Sequence, residues 1–295
     1  MTQLIQQLVD GLGRGSEYAL IALGIAVIFG VMHLVNFAHG ELITVSAYTS
    51  YWLFSAGLGW WAMAIGIVVS SVLTSLLIEF VAFRRVRGAA DFTMLLTSFG
   101  VHFVSQALFV MYVSANVRNF NRPGWVTDVV TVGGVRFEVF DLVTLGVTAV
   151  TLAGTVWLLR RTTFGVSLRA AAEDFDAARL MGVRSDRVIS GAFALAGLLA
   201  GVAAVFVLMR TGRASPTAGL TPMLKGVLAA LIGGLGSLQG AVLGGFALGV
   251  VEVLLLARLP TAWVGLTNGI VFVLIALLFT FRPGGLLGDH RVERV

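Results

Sequence analysis

Long stretches without any Asp, Glu, Lys or Arg are the feature of this sequence that most constrains its fold. One such stretch covers Tyr18–Ala38 and a second covers Leu42–Ile78. A membrane-spanning helix needs about 20 mostly apolar residues, so the first stretch can cross a bilayer once and the second twice. Charged residues make up only 12% of the chain, against about 25% in a typical soluble domain. The sequence therefore predicts an all-α, polytopic membrane protein.

Further apolar stretches give the number of membrane segments. Gly57–Gly59 divides the second stretch into two helices. Gly233–Ser237 is rich in glycine, so the region before it is predicted to form only a short or broken segment, Met223–Gly233. The other predicted spans are Phe92–Val117, Val139–Leu159, Val188–Met209, Leu238–Ala257 and Leu259–Phe281. We expect nine membrane segments, or eight if Met223–Gly233 is re-entrant, in one domain covering residues 1–295.

A charged island interrupts this apolar sequence at Arg160–Arg187. It holds ten of the 35 charged residues, and a charge in hydrocarbon costs at least about 2.5–3.5 kcal/mol, so the island must lie outside the membrane. Placing it on the same side as Arg84–Arg87 and the C-terminal tail collects 12 basic residues there and leaves 8 on the other side. The positive-inside rule then predicts a cytoplasmic island, an outside N-terminus and a cytoplasmic C-terminus. The net charge of +5 is attributed to this orientation, and no nucleic-acid partner is expected.

The sequence lacks the patterns that catalysis and cofactor binding need. The four histidines form no ligand pair at helical spacing and cysteine is absent, so no metal site is expected. The single lysine, Lys225, is not part of a G-x-x-x-x-G-K-[ST] loop, and no G-x-S-x-G motif is present. No basic cluster precedes the first apolar residues, so no cleaved signal peptide is expected. These observations predict a non-catalytic chain that binds no cofactor itself.

Polar side chains at membrane depth are the candidates for a translocation pathway, because hydrocarbon makes them costly. Some of them share one face of a predicted helix, and others lie in the break at Asn36–Glu41 between the first two helices. Breaks of this kind point to the pathway of many transporters, since the freed backbone groups need a cavity or a ligand. The candidate pathway residues are Asn36, His39, Glu41, Thr44, Tyr48, His102 and Gln106.

Each of these features also has a purely structural interpretation. The helix faces could make interhelical hydrogen bonds, worth about 0.6 kcal/mol on average, and Asn36–Glu41 could be a turn at the bilayer surface. Glu252 is expected to pair with Arg258 or Arg213. A second break, at Gly233–Gly240, could instead allow close helix packing. The glycines with suitable spacing for that packing are Gly233, Gly236, Gly240 and Gly244.

Four motifs, in order along nearly the whole chain, resemble the branched-chain amino-acid ABC permeases, particularly their H-type subunit. Gly11–Tyr48 contains G-L-x-x-G, Y-A-L-x-A-L-G and N-F-A-H-G-E. Arg161–Val183 contains F-G-x-x-L-R-A and E-D followed by A-A-x-x-x-G. Leu224–Glu252 and Phe281–Gly288 are similar to later segments of the family. Arg14 and Glu17 stand where the family usually has small or apolar residues. Two interpretations are open: an i, i+3 pair at the outer surface, or a different substrate or binding protein.

The resemblance implies an importer built from several subunits in a bacterial inner membrane. A soluble binding protein delivers the substrate, and two ATPase subunits hold ATP and magnesium. A second permease subunit, usually M-type, completes the pathway, although a homodimer is also open. The family carries branched-chain amino acids, urea, short amides and other amino acids. An ion-coupled secondary transporter is the alternative from another class, for which only Glu252, Asp141 and His102 are candidate ion-coupling residues.

The resemblance further implies that the charged island contains a coupling helix that contacts the ATPase. Its acids precede its basic residues, as a helix prefers, and Gly182 is well placed to end it. We therefore predict a short helix at Glu173–Gly182, with a solvated surface loop as the alternative. The candidate coupling residues are Arg169, Glu173, Asp174, Ala177, Ala178 and Gly182.

Overall fold

The computed structural model describes residues 2–132 and 135–281, and these residues are mostly helical. The longer helices among these residues are α1 (Thr2–Met32), α2 (Gly40–Ser55), α3 (Trp60–Val81), α4 (Asp91–Tyr112), α5 (Val139–Arg161), α8 (Ser185–Thr211), α9 (Leu220–Gly233), α10 (Leu238–Leu256) and α11 (Thr267–Phe281). Two shorter helices, α6 (Thr163–Glu173) and α7 (Phe175–Leu180), lie within the charged island.

Four short strands pair in two antiparallel ribbons. β1 (Arg118–Asn119) pairs with β4 (Arg213–Ala214), and β2 (Val129–Val132) pairs with β3 (Val135–Glu138). Both ribbons lie in the connections at the ends of helices opposite α6 and α7. We therefore distinguish the α6–α7 end of the molecule from the strand end.

Six described helices are long and apolar enough to cross a membrane, namely α1, α3, α4, α5, α8 and α10. The predicted all-α, polytopic membrane fold is confirmed. α9 has 14 residues and is therefore about 21 Å long, which is less than the roughly 30 Å of a bilayer core. The predicted final span, Leu259–Phe281, contains a 3₁₀ turn at Thr261–Leu266 before α11 begins.

The first helix begins earlier than the apolar pattern predicts, because its polar residues find partners. The Gln6 amide donates to Asp10 Oδ1 at 2.8 Å, and Gln6 Oε1 accepts from the backbone N–H of Arg136 at 2.8 Å. The helix also ends earlier, at His33, whose positive φ of 54° stops the α-helical path. α1 thus extends beyond the predicted span at the strand end.

α1 is the central helix, and it is buried almost continuously from Gly15 to Ile28. Its glycines allow α10 to approach closely: a Cβ on Gly249 would collide with the backbone of Gly15, and one on Gly245 would collide with Ala19. α3 and α8 pack in a similar way, with the Ser71 hydroxyl donating to Gly197 O at 2.7 Å. These contacts form the rigid frame on which the candidate site is built.

Candidate translocation site and coupling segment

The break between α1 and α2 is a structured and buried turn. A 3₁₀ turn covers Phe37–His39, and Asn36 caps it by accepting the Ala38 N–H at 3.0 Å. The short amide side chain of Asn is suited to such a cap. Asn36, His39 and Glu41 are all buried, at 3%, 1% and 1% exposure. The segment thus forms a turn, as one of the two sequence interpretations expects, and its polar side chains face the protein interior.

A buried imidazole and a carboxylate meet beside this turn. Nδ1 of His102 on α4 lies 2.7 Å from Oε1 of Glu41 on α2. The other oxygen of Glu41, Oε2, is buried and has no hydrogen-bond partner within the described part of the chain. Phe37 stacks on Phe99 of α4, with ring centroids 4.2 Å apart. The Glu41–His102 pair joins α2 to α4 and leaves Oε2 of Glu41 able to accept a further hydrogen bond.

His39 is the least satisfied polar side chain in this region. Both ring nitrogens are buried and have no partner among the residues that the structure describes. The ring lies against α1, where a Cβ on Gly24 would be 3.2 Å from His39 Cε1. A buried polar group without a partner costs about 1–3 kcal/mol. We name Asn36, His39, Glu41 and His102 the break site.

The other candidate pathway residues make ordinary structural contacts. Thr44 Oγ1 accepts the Gly219 N–H at 3.2 Å, which holds α2 against the segment before α9. The Tyr48 ring stacks on Phe109 at 4.6 Å between centroids, and its hydroxyl donates to Ser114 O at 3.3 Å. Gln106 is half-buried on α4, one turn after His102. The structure thus brings Glu41 and His102 together directly, while Thr44 and Tyr48 lie in packing contacts.

The predicted coupling helix at Glu173–Gly182 is wrong in its boundaries. Glu173 ends α6, and Asp174 begins a separate helix, α7, by accepting the Ala177 N–H on Oδ1 at 2.9 Å. An Asp side chain competes with the helix for backbone N–H groups, which explains the break between the helices. Gly182 does end α7: its φ is +86°, and the Val183 N–H donates to Ala178 O at 3.1 Å.

Two large apolar side chains at the end of α7 were missed by the sequence interpretation. Leu180 is 90% exposed and Met181 is 86% exposed. Ala177 is also exposed, whereas Ala178 is buried. The sequence did contain a signal for this surface: two apolar residues stand directly before Gly182 in an otherwise charged segment. Arg169 does not belong to this surface, since its guanidinium donates to Leu159 O and so joins α6 to α5.

At the strand end, seven polar residues from five helices form what we name the charge clamp. Its members are Arg14, Glu17, Tyr18, Asp141, Arg210, Lys225 and Glu252. Arg210 donates to Glu17 Oε1 at 2.9 Å and to Asp141 Oδ1 at 2.8 Å. Lys225 donates to Glu252 Oε1 at 2.8 Å, and the Tyr18 hydroxyl donates to Glu252 Oε2 at 2.8 Å. Every buried carboxylate of the clamp therefore has a cation beside it.

The clamp corrects two predicted pairs. Arg14 and Glu17 do not pair with each other, because Glu17 faces Arg210 while Arg14 reaches Glu252 at 3.5 Å. Glu252 pairs with Lys225 instead of Arg258 or Arg213. In both cases the buried carboxylate pairs with a cation that helix packing brings from another helix.

The glycine-rich break near α9 and α10 is mostly a packing feature. A Cβ on Gly233 would collide with Gly240 O, and one on Gly244 would collide with Ala229 O. Gly236 differs, since a Cβ there would meet nothing within 4 Å. Close packing is thus confirmed for Gly233, Gly240 and Gly244. The last predicted motif, Phe281–Gly288, lies outside the described residues beyond Phe281.

Comparison with known proteins identifies the family. Residues 7–276 match the family described as the permease component of the branched-chain amino acid transport system. The chain belongs to this permease family. It is 32% identical over 307 residues to LivH, the high-affinity branched-chain amino acid transport system permease protein of Escherichia coli (strain K12), covering 99% of this chain and 97% of LivH. The resemblance inferred from the motifs is confirmed.

Further relatives of the permease agree with this assignment. BraD of Pseudomonas aeruginosa, with the same functional description as LivH, is 32% identical over 304 residues and covers 99% of this chain and 98% of BraD. Among solved structures, an inward-facing metal-chelate type ABC transporter is similar in fold, with a TM-score of 0.51 and 16% identity. That alignment covers 94% of this chain and 84% of the other, and at this identity the similarity concerns the fold alone.

Proposed function

We propose that this permease imports branched-chain amino acids, driven by ATP hydrolysis on two separate ATPase subunits. The observation that carries the proposal is the full-length similarity to two permeases named for branched-chain amino acid transport. The sequence has no phosphate-binding loop around its single lysine, and this is compatible with ATP and magnesium being held by partner subunits. The chain itself is proposed to bind no cofactor and to form one transmembrane domain.

The complete transporter in this proposal contains a soluble binding protein and a second permease subunit, M-type or a second copy of this chain. The N-terminus lies outside and the α6–α7 end lies in the cytoplasm. The distribution of basic residues supports this orientation: they concentrate at the α6–α7 end, and the positive-inside rule places such an end in the cytoplasm. α7 then faces the compartment that contains ATP.

The break site is the proposed part of the pathway in this chain. Its support is the combination of burial and incomplete hydrogen bonding, with both nitrogens of His39 and Oε2 of Glu41 open. Such groups gain free energy when a substrate or water reaches them, because the desolvation of an unpaired polar group is then reversed. Asn36 holds the turn, and His102 fixes the carboxylate of Glu41. Thr44, Tyr48 and Gln106 extend the site along α2 and α4.

α7 is the proposed contact with the ATPase. Leu180 and Met181 project from a six-residue helix that is capped at both ends, by Asp174 and by Gly182. Exposed apolar side chains on a short rigid helix suit a groove in a partner protein. Glu173 and Asp174 shape the entrance of this helix, and Arg169 anchors α6 to α5. Movement of α7 would therefore reach α5 through α6.

Reconstitution tests the proposed function. The chain is purified with candidate ATPase and second permease subunits, placed in proteoliposomes with the binding protein, and assayed for uptake of labelled leucine, isoleucine and valine. Urea and acetamide serve as competing substrates. We expect ATP-dependent uptake of the three amino acids that neither competitor reduces. Uptake that follows an ion gradient without ATP, or transport of urea but not of leucine, would contradict the proposal.

A further inference from the structure

A large crevice opens between α5 and α10 with α1 as its floor. Its volume is about 1360 Å³, which exceeds the roughly 300–1,000 Å³ of ordinary small-molecule pockets. Its apolar walls include Val27 of α1, Leu152 of α5 and Val242 of α10. None of the seven candidate pathway residues borders it. The crevice is therefore separate from the break site.

The polar residues of the crevice lie together at its α6–α7 end. Arg160 and Arg161 are the last two residues of α5. Arg169 lies on α6, where its guanidinium donates to Leu159 O in the last turn of α5. Ser237 and Gln239 border the crevice where α10 begins. No Asp or Glu borders it, and neither arginine has a carboxylate partner within residues 2–132 and 135–281. The rim thus carries uncompensated positive charge above an apolar slot.

This arrangement matches one class of molecule. The end of a membrane-spanning helix lies at the headgroup level, where arginine side chains reach the interface. Basic pockets between membrane helices bind the headgroups of anionic lipids. We propose that the crevice binds an anionic phospholipid, with its phosphate on Arg160 and Arg169 and its acyl chains between α5 and α10. A zwitterionic lipid offers the same chains but no net charge to the rim.

The floor of the crevice offers a way to fill it without disturbing the fold. Gly30 of α1 borders the crevice, and a Cβ there would meet nothing within 4 Å. Gly154 of α5 is equally free of neighbours but does not border the crevice. Gly30→Trp and Gly154→Trp are therefore a matched pair, of which only the first occupies the proposed lipid site.

Native mass spectrometry of the full chain, purified from membranes in mild detergent, tests the proposal. Phosphatidylglycerol and phosphatidylcholine with identical acyl chains are added, and the lipid-bound fraction is measured. We expect the chain to retain phosphatidylglycerol preferentially. The double variant Arg160→Gln, Arg169→Gln should bind it about thirtyfold more weakly. The control Arg161→Gln, Arg179→Gln removes the same charge from the same end and should bind much as the unmodified chain does.

Three results would overturn the proposal. The first is equal retention of the two lipids by the unmodified chain. The second is equal binding of phosphatidylglycerol by the two double variants. The third is that Gly30→Trp retains the lipid as well as Gly154→Trp does. If Gly30→Trp instead converts a dimer to a monomer with lipid binding unchanged, a second permease subunit occupies the crevice and the lipid assignment is wrong.

Discussion

The charge clamp and the break site are both buried polar regions of an apolar molecule, but they differ in how completely their groups are paired. In the clamp, Glu17, Asp141 and Glu252 each lie within 2.9 Å of a cationic nitrogen. In the break site, both nitrogens of His39 have no partner within the described part of the chain. The first region joins five helices at the strand end. The second leaves hydrogen-bonding capacity unused near the middle of the fold.

This difference separates two uses of polarity inside a membrane protein. A fully paired cluster resists change, since removing one member leaves a buried charge uncompensated. An incompletely paired cluster costs stability in the resting chain and regains it when a polar ligand or water arrives. We therefore propose that the clamp stabilises the fold and that the break site serves transport. Three substitutions test that division and a fourth variant tests α7, in order from the largest expected change in the free energy of unfolding to the smallest.

Arg210→Met should have the largest effect, because it leaves the two carboxylates of Glu17 and Asp141 buried without their cation. We expect a loss of about 3–5 kcal/mol in the free energy of unfolding. The midpoint of thermal unfolding in detergent and the yield of folded protein measure this effect. Arg213→Met is the control, because Arg213 is exposed. An unchanged midpoint for Arg210→Met would show that the clamp does not stabilise the fold.

His102→Leu should have an intermediate effect. It removes the partner of Glu41 Oε1 and leaves the whole carboxylate unsatisfied, at a cost of about 1–3 kcal/mol. The same unfolding midpoint measures it, with Val104→Leu on the exposed side of α4 as the control. A loss as large as that of Arg210→Met would place His102 in a stabilising cluster and remove the contrast between the regions.

His39→Leu should leave stability unchanged or slightly higher, because the side chain it removes has no hydrogen bond to lose. Transport should nevertheless fall strongly. Uptake and the unfolding midpoint are measured on the same preparation, with His39→Gln as a variant that restores a polar group. Asn36→Leu should also slow transport. If both His39→Leu and Asn36→Leu transport normally, the break site is only a turn.

Leu180→Asp with Met181→Asp should change the unfolding free energy least, since both side chains are exposed at the surface. Surface substitutions usually change stability by less than about 0.5 kcal/mol. The expected loss lies elsewhere: co-purification of the ATPase subunits should decline, and ATP hydrolysis should no longer support uptake. Substituting Glu173 and Asp174 with Lys should likewise uncouple hydrolysis from uptake. Full coupling in the Leu180 and Met181 variant would exclude α7 as the contact.

Features encoded locally could be predicted from the sequence. The apolar stretches predicted the six helices of membrane length among the described residues, since length and hydrophobicity are properties of contiguous residues. α2 and α11, which were predicted as full spans, have only 16 and 15 residues. Gly182 was correctly predicted to end a helix, because its position after the last helical residue favours a positive φ. The break at Asn36–Glu41 was likewise visible as polar residues between two apolar runs. The split between α6 and α7 was not predicted. Asp174 can either continue a helix or accept the Ala177 N–H with its side chain and start a new one, and the sequence does not show which occurs.

Features that depend on distant residues could not be predicted. Tyr18 and Glu252 are 234 positions apart, and Arg210 lies 193 positions from Glu17. The i, i+3 spacing suggested Arg14 for Glu17, and the predicted position of Glu252 near the outer end of its helix suggested Arg213 or Arg258. Helix packing brought other cations closer. The orphaned nitrogens of His39 were hidden for the same reason, since burial without a partner is a property of the assembled helices.

Cysteine accessibility tests the central claim most directly, because the chain contains no cysteine of its own. Single substitutions at Thr44 and Gln106 are compared with Thr144→Cys, a fully buried position on α5 whose hydroxyl bonds only within its helix. Each variant is assembled with its ATPases and treated with a water-soluble methanethiosulfonate reagent, with and without ATP. We predict labelling at Thr44→Cys and Gln106→Cys whose rate changes when ATP is added, and none at Thr144→Cys. Both pathway positions remaining as unreactive as Thr144→Cys in every state would contradict the account.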